Sequence, residues 1–345
     1  MQPDLSIDRQ LRRERNFRPP FCPHVACPQH RHPSPGFCHR DGWASLSRFP
    51  YQSQRFRCRT CRRSFSWSRF SLEYRQKIWG LNETIFRDFN VGISKRELAR
   101  RVGHSEHLVR LRLRKMARWG LREQAARMEK LKILEPIVYD GLENFSRSQY
   151  DPNNLNHAVG KESLFTYDFN LCPLNRKGRM SPRQRRRKAA LDEKYGAYPR
   201  DAIRAATRKI LRRLLRKTPG QLHLFSDRHY QYDDVVREDL PPGRVHHVKV
   251  SSKIARNFVN PLFAVNNVDM QARHNLAPFR RETIAFSKNT VAMQEAFALY
   301  MIRRNYMRPK FWGTHRSDPE CSKRSPAMEV GVAKKIETFK EFFSH

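Results

Sequence analysis

Two short apolar runs in this chain end abruptly in an aspartate. The first, at residues 137–139, stops at Asp140, and the second, at residues 222–226, stops at Asp227. Short apolar runs bounded by turn residues predict strands buried in a sheet. Gly141 follows Asp140, and an isolated Asp-Gly pair is most often a simple turn. The order of elements around the two aspartates gives them a second interpretation.

The patterns between residues 132 and 307 predict an α/β domain. Three strands come first, then a helix, a strand, another strand and further helices, which is the order of an RNase H-like core. In that fold the first and fourth strands are neighbours, so Asp140 and Asp227 are predicted to lie close together. Two adjacent carboxylates repel each other unless a divalent cation lies between them. The predicted elements are strands at 137–140, 156–159, 163–169, 221–227 and 244–251, a Pro-Asn-Asn turn at 152–154, and helices at 201–217 and 290–305.

The charge of the chain predicts a polyanionic partner. There are 69 Lys+Arg against 33 Asp+Glu, a net charge of +36, and the commonest polyanion is nucleic acid. A run of about 18 apolar residues, which a membrane span needs, does not occur. Residues 1–16 lack the apolar core of a secretory signal. The sequence therefore predicts a cytoplasmic protein that binds nucleic acid rather than a membrane.

Four of the seven cysteines form two close pairs, Cys22 with Cys27 and Cys58 with Cys61. Without an export signal, this spacing favours a metal site over disulfides. We predict a zinc ribbon over residues 21–70 with a structural Zn²⁺, because four protein ligands leave no open position. The surrounding arginines are expected to favour the thiolate form. Any of five nearby side chains could replace one cysteine: His24, His30, His32, Cys38 and His39.

Residues 74–122 predict a helix-turn-helix. Ser94 and Ser105 are natural N-caps, Glu97 is placed to complete a capping box with Ser94, and Gly103 lies in the turn. On the second helix Val109, Leu113 and Met116 share one side, and His107, Arg110, Arg114 and Arg118 share the other. A second helix of this kind enters the major groove of DNA. The alternative is a helical hairpin with a solvated basic side.

The densest charge run lies at residues 175–188 and holds eight basic residues and no acid. We expect a loop that grips the phosphate backbone of DNA, with Arg185, Arg186 and Arg187 among its contacts. Residues 1–20 are expected to form a basic N-terminal arm, and residues 308–345 a basic tail without a core pattern.

Over about residues 20–307 the chain resembles DDE-type transposases of bacterial insertion sequences. The resemblance rests on CRTCRRSFS, DGLENFSRSQYDPNNLNHAV, GRMSPRQRRRKAAL, LHLFSD and NPLFAVNNVDMQARHNLAPFRRETIAFSKN. It implies DNA cleavage and strand transfer with Mg²⁺ or Mn²⁺, where Asp140 and Asp227 are the first two metal-binding acids. Double-stranded DNA is the implied partner, both as terminal repeats and as target. A homodimer or larger synaptic complex is also implied.

The third acid departs from the family pattern. Transposases of this kind place a glutamate at the start of a helix after the last strand, and here Asp269 matches that position. Glu282 is the second candidate and Glu295 the third. Glu143 is a possible secondary ligand, and Asp168 is expected to be structural or solvated. The alternative functions are a catalytically inactive DNA-binding regulator and a structure-selective nuclease of the same fold.

Overall fold

The computed structural model describes residues 16–47, 51–280, 283–313 and 320–343. The chain forms two compact units. One comprises the chain up to Thr84 together with the segment from Phe339 onward, and the other runs from Ile85 to Thr338. Within the described ranges, no helix is both long and apolar enough to cross a bilayer.

The N-terminal unit is built on three antiparallel strands, β1 (Cys38–Ser45), β2 (Gln52–Cys58) and β3 (Ser64–Ser66). A short helix, α1 (Pro28–Arg31), precedes them, and a 3₁₀ turn at Trp67–Phe70 follows. Phe17 packs in the aromatic core of this unit. The predicted arm at residues 1–20 is therefore too long at its C-terminal end, and its residues 1–15 lie outside the described ranges. The other core residues are Phe37, Phe56, Phe65, Trp67 and Phe70.

Helix α2 (Leu81–Phe89) spans the division between the units, and two further helices follow it in the larger unit. These are α3 (Lys95–Arg101) and α4 (Glu106–Arg127). The Ser94 and Ser105 hydroxyls accept hydrogen bonds from the first turns of α3 and α4, as predicted. Glu97 does not complete a capping box, because its carboxylate pairs with Arg100 at 3.1 Å instead.

The larger unit contains a mixed sheet with the strand order β6-β5-β4-β7-β8 within the described residues. Strands β4, β5 and β6 are antiparallel, whereas β7 lies parallel to β4 and β8 lies parallel to β7. The predicted neighbourhood of the first and fourth strands is thus confirmed. The strands are β4 (Ile137–Phe145), β5 (Pro152–Gly160), β6 (Thr166–Pro173), β7 (Leu222–Asp227) and β8 (Val245–Val250).

The Pro-Asn-Asn prediction was wrong, because Pro152, Asn153 and Asn154 begin strand β5 rather than forming a turn. Asparagine is normally depleted in strands, since its amide competes with the backbone for hydrogen bonds. Here the amides bond to other side chains instead: Asn153 Nδ2 donates to Ser146 Oγ at 3.0 Å, and Asn154 Nδ2 donates to Asn156 Oδ1 at 2.9 Å.

Helices cover both faces of the sheet. On one face α6 (Ala202–Leu215) packs against β5 and β6, and Tyr139 Oη hydrogen-bonds Thr207 Oγ1 at 2.9 Å. On the other face lie α8 (Phe263–Asn275) and α9 (Thr290–Tyr306). Neighbouring residues of a strand point to opposite faces, so Asp140 points away from α6. Helix α5 is Pro182–Tyr195, and α7 (Tyr230–Asp234) leads into a π-helical turn, Val235–Asp239.

Two predicted irregular regions contain helices. The basic run at 175–188 was expected to be a loop, but α5 begins inside it, because Ser181 and Gln184 cap each other's backbone N–H. The tail at 308–345 buries Cys321 and Phe342 and forms two short helices, α10 (Pro326–Glu329) and α11 (Phe339–Phe342). At the second of these helices Phe339, Phe342 and Phe343 repeat at i, i+3 and i+4, which is the spacing of one helix side.

Candidate functional site

The parallel pairing of β4 and β7 brings Asp140 and Asp227 to the same sheet end. Tyr139 lies opposite Ser226, so the next residues at the carboxyl ends of the two strands are Asp140 and Asp227. Because side chains alternate between faces, both aspartates lie on the face away from α6. Asp140 Oδ1 accepts the Gly141 N–H at 2.7 Å, and Asp227 Oδ1 accepts the His229 N–H at 3.0 Å.

Helix α8 carries Asp269 to this same face. Two side chains of α9 hold the helix in place: Tyr300 Oη donates to the Val268 carbonyl at 3.3 Å, and Arg304 Nη2 donates to Asn267 Oδ1 at 2.8 Å. Arg304 is buried and also donates to the Leu164 carbonyl at 2.9 Å. Asp269 is therefore presented by a helix that is fixed against the sheet.

The three carboxylates interact electrostatically. Burial raises the pKa of Asp140 above its ordinary value, and the negative charges of Asp269 and Asp227 raise it further, to about 7. The Gly141 N–H and the nearby His157 oppose this rise. A carboxyl group with such a pKa is destabilised in its ionised form. A bound divalent cation would remove that penalty, because its charge offsets the repulsion.

His157 is a member of this site that sequence reasoning missed. It lies opposite Asp140 in the β4–β5 pairing, is fully buried, and packs against Phe297 of α9. Its Nε2 lies 3.2 Å from Asp269 Oδ1, and its Nδ1 lies 3.2 Å from the Leu155 carbonyl oxygen. The distance is that of an ion pair, but its geometry is not that of a hydrogen bond, and neither Nε2 nor Asp269 Oδ1 has a hydrogen-bond partner among the described residues.

The contacts of His157 favour its charged form. Both ring nitrogens face an acceptor, and only the imidazolium donates at both positions. Burial disfavours that cation, but Asp269, the Leu155 carbonyl and Asp140 together raise the pKa of His157 above its ordinary value. His157 therefore places positive charge against Asp269. A single histidine in an apolar strand gives no signal in the sequence that would reveal this contact.

His229 supports Asp227 through its backbone. Its N–H donates to Asp227, and its Nδ1 accepts from the Gln231 N–H at 3.3 Å, which caps α7. Burial lowers the pKa of His229, opposed by the charge of Asp227. The His-two-after-Asp spacing was visible in the sequence, but no role could be assigned from spacing alone.

The other candidate acids lie elsewhere or in other pairs. Glu282 lies outside the described residues. Glu295 pairs with Arg114 at 3.0 Å, and Asp168 pairs with Arg213 at 2.6 Å. The interpretation of Asp168 as structural fits this ion pair. The carbonyl oxygen of Glu143 accepts a hydrogen bond from Arg273 at 3.1 Å.

The donor set suits hard cations. Carboxylate oxygens are the ligands that Mg²⁺ and Mn²⁺ prefer. Among the described residues, the three aspartates do not form a group whose ligand atoms all lie within 4.8 Å of one another. One octahedral Mg²⁺, with bonds of about 2.1 Å, would need ligands no more than about 4.2 Å apart. The three carboxylates are therefore not gathered closely enough in this structure to surround one such ion.

The cysteine cluster matches the predicted set. The Sγ atoms of Cys22, Cys27, Cys58 and Cys61 all lie within 4.8 Å of one another. Cys22 and Cys61 are 3.7 Å apart, and Cys27 and Cys58 are 3.8 Å apart. Zn–S bonds of about 2.3 Å in a tetrahedron give Sγ separations of about 3.8 Å. These distances exclude disulfides, whose S–S bond is about 2.05 Å, and the four cysteines can hold a structural metal such as zinc.

Backbone amides tune this cluster more than the arginines do. Burial opposes ionisation of Cys58, but the N–H groups of Cys61 and Thr60 lower its pKa to about 7. Burial raises the pKa of Cys22 and of Cys27. The expectation that neighbouring arginines favour the thiolates therefore needs correction, because the knuckle backbone provides the stabilisation at Cys58. His30 is outside the four-cysteine group, and its Nδ1 lies 2.7 Å from the Cys22 carbonyl oxygen.

The predicted basic side of α4 divides into two parts. Arg110 and Arg118 are exposed, and Arg110 Nη2 lies 2.9 Å from His107 Nδ1. Arg114 instead turns toward α9, where it pairs with Glu295. Val109, Leu113 and Met116 are buried, as the sequence predicts. Arg185, Arg186 and Arg187 are all exposed on α5.

No protein-family model matches the chain, and a comparison with curated proteins finds no similar sequence. The functional inference therefore depends on the residues and contacts described above.

Proposed function

We propose that this protein is a DDE-type DNA transposase with an RNase H-like catalytic core. One observation carries the proposal: Asp140, Asp227 and Asp269 interact at one end of the sheet in a chain whose net charge is +36. An acidic cluster inside a strongly cationic protein suits a reaction on phosphodiesters, in which the surface attracts DNA and the carboxylates hold metal.

The three aspartates would hold two Mg²⁺ or Mn²⁺ ions. When bound, such ions supply activation of the attacking oxygen and stabilisation of the leaving oxygen in phosphoryl transfer. The attacking groups would be water for cleavage and a DNA 3′-hydroxyl for strand transfer. Within the protein, the Gly141 and His229 N–H groups orient the first two carboxylates, and His157 orients the third.

Duplex recognition would come from the N-terminal part of the chain. Helices α3 and α4, joined through Gly103 (φ +68°), have the order and caps of a helix-turn-helix. Exposed Arg110 and Arg118 are its proposed DNA contacts. The cysteine-bound unit, with zinc in place, would add a second recognition module. A dimer or larger synaptic complex on terminal repeats fits this arrangement.

Cleavage and strand transfer on DNA carrying the element's ends test the proposal. The wild-type protein should nick and join these ends with Mg²⁺ or Mn²⁺, whereas Asp140→Asn and Asp227→Asn should bind DNA but lose at least about a hundredfold in rate. Asp168→Asn is the matched control, because Asp168 also lies on the sheet but pairs with Arg213. Binding without cleavage by the wild-type protein would favour a DNA-binding regulator instead.

A further inference from the structure

A closed excursion of the chain lies between β6 and α6. Asn175 and Tyr198 join its two ends through a pair of hydrogen bonds: Asn175 Nδ2 donates to the Tyr198 carbonyl at 2.7 Å, and the Tyr198 N–H donates to Asn175 Oδ1 at 3.1 Å. The Tyr198 hydroxyl donates to Asp151 Oδ1 at 2.7 Å. The two ends of the excursion, residues 176–197, are therefore held together at the sheet domain by Asn175 and Tyr198, which we call the neck.

The neck is tied to the element that follows Asp227. Gln231, in α7, donates from Nε2 to the Arg200 carbonyl at 2.8 Å and accepts the Arg204 N–H at 3.1 Å. Arg200 comes two residues after the neck residue Tyr198. The excursion thus starts close to the turn that orients Asp227.

Helix α5 fills most of the excursion, and none of its residues is buried. A helix that is polar all round gains little from packing. Local caps hold it instead: the Gln184 N–H donates to Ser181 Oγ at 3.3 Å, and the Ser181 N–H donates to Gln184 Oε1 at 3.0 Å. Gly196 ends the helix at φ +79°, a conformation that favours glycine.

The two sides of α5 differ in exposure. The half-buried side repeats at i, i+4, i+7 and i+8, which is the spacing of one helix side. Lys188 and Asp192 form an ion pair on it, so its charge is neutralised. Its members are Gln184, Lys188, Leu191 and Asp192.

The opposite side is an exposed basic stripe. Its positions repeat at i, i+3, i+4, i+7 and i+11, and four of the five are cationic. Among the described residues, Arg183, Arg186 and Arg187 form no ion pair or hydrogen bond, and Lys194 contacts only the Tyr195 ring, at 5.1 Å. Glu193 borders the stripe. Arg185, which the charge run was expected to place among the DNA contacts with Arg186 and Arg187, lies off the stripe in the helix. The stripe consists of Arg183, Arg186, Arg187, Ala190 and Lys194, all exposed.

We propose that this stripe binds the phosphate backbone of duplex DNA beside the carboxylate site. The DNA binding does not depend on catalysis, but the relevance of the stripe to catalysis rests on the proposed transposase function. Four unpaired or weakly paired cations on one side of a capped helix offer a preordered surface for a polyanion. From Arg183 to Lys194 the helix rises about 16 Å, so the four cations are spread along one side of α5 rather than gathered at a single point.

The stripe selects B-form DNA over A-form RNA by shape. The major groove of B-DNA is about 12 Å wide and admits a helix whose diameter is about 10–12 Å. The major groove of A-form RNA is too narrow for side chains to enter. The contacts are to phosphates, so binding through α5 should not depend on DNA sequence.

Salt-dependent DNA binding tests the stripe without any catalytic step. The full-length protein, in metal-free buffer with its zinc retained, is titrated by fluorescence anisotropy with a random duplex from about 50 to about 200 mM salt. The variant R183Q/R186Q/R187Q should lower the slope of log K against log salt by about 2.7. Glutamine keeps the helix propensity, and circular dichroism confirms that the variant is folded.

A matched pair of single variants tests the geometry. Arg186→Gln should weaken binding roughly five- to tenfold at about 0.1 M salt, whereas Arg185→Gln, which removes the same charge from the neighbouring position, should change it less than twofold. Equal losses in the two variants would mean diffuse attraction and would overturn the stripe, as would no loss in the triple variant. Equal affinity for duplex RNA would overturn the choice of DNA.

The outcomes separate the two proposals. Loss of binding in the stripe variants, with no metal-dependent cleavage by the wild-type protein, would leave the stripe standing and refute the transposase. Normal cleavage by the wild-type protein, together with unchanged DNA binding by the stripe variants, would support the transposase and refute the stripe.

Discussion

Replacing Asp140 with asparagine should stabilise the metal-free protein. The pKa of Asp140 in the folded protein is about 7, against an ordinary value of 3.8, because burial and the charges of Asp269 and Asp227 disfavour its ionised form. Asparagine has the same shape, can still accept the Gly141 N–H, and carries no charge. Its introduction therefore removes a repulsion that the wild-type protein carries at neutral pH.

The magnitude and pH range follow from proton linkage. The pKa rises by about 3, and each pKa unit corresponds to about 1.36 kcal/mol, so the free-energy difference is about 4 kcal/mol. Because the folded-state pKa exceeds the unfolded value, the folded protein holds the extra proton. The contribution of Asp140 to stability is fully present below about pH 4 and is lost as the pH rises through about 7. The free energy of unfolding of Asp140→Asn should thus exceed that of the wild type by about 2–4 kcal/mol at pH 8, and by little at pH 4.

Thermal unfolding with and without Mg²⁺ measures this effect. At about 2–4 °C per kcal/mol for a domain of this size, the unfolding temperature of the larger unit should rise by roughly 5–10 °C at pH 8. Mg²⁺ should raise it for the wild type but not for Asp140→Asn. Glu295→Gln serves as control and should gain nothing, because it leaves Arg114 unpaired. A destabilised Asp140→Asn, or a gain that is the same at both pH values, would show that the charge of Asp140 does not destabilise the folded protein.

Three further substitutions follow from particular contacts. His157→Leu should raise the metal concentration needed for half-maximal cleavage about tenfold or more. His157→Gln, which keeps a donor for Asp269, should restore most of the lost metal affinity. Equal effects of the two substitutions would exclude a positioning role for His157. Cys58→Ser should lower the zinc content, measured by atomic absorption, from about one per chain and unfold the N-terminal unit, and retention of one zinc would contradict the site. Gly141→Ala should lower the unfolding free energy by about 1–3 kcal/mol in denaturant titrations, since its Cβ would lie 2.0 Å from Asn154 Nδ2, and an unchanged midpoint would contradict that contact.

The strand ends were predictable because their signal is local. An apolar run that stops at Asp140 and another that stops at Asp227 fix both the elements and the positions of their carboxylates. The four-cysteine group was predictable for the same reason, since knuckle spacing is set within a few residues. The sequence also placed Asp269 among the acids, but only through resemblance.

The contacts of His157 depended on tertiary packing. The residue reaches Asp269 only because β5 lies beside β4 and α8 covers that face of the sheet. Neither the presence of His157 in the sequence nor its distance along the chain from Asp269 indicates this contact. Similarly, the asparagines at 153 and 154 resemble a turn in the sequence. Their amides instead bond to Ser146, which follows the neighbouring strand β4, and to Asn156, two positions further along β5.

Helix α5 shows why a charge run alone is a poor guide to structure. Repulsion among neighbouring arginines predicts a loop, but the reciprocal cap at Ser181 and Gln184 and the Lys188–Asp192 pair hold a helix. Only the helical geometry separates Arg186 from Arg185, because adjacent residues point about 100° apart. The loop interpretation could not make that distinction.

The most direct test of the central claim is to locate Mn²⁺ by anomalous diffraction in crystals of the protein bound to element-end DNA. We expect Mn²⁺ in contact with the carboxylates of Asp140, Asp227 and Asp269, next to the scissile phosphate. Mn²⁺ bound elsewhere, or a scissile phosphate held away from these three side chains, would contradict it.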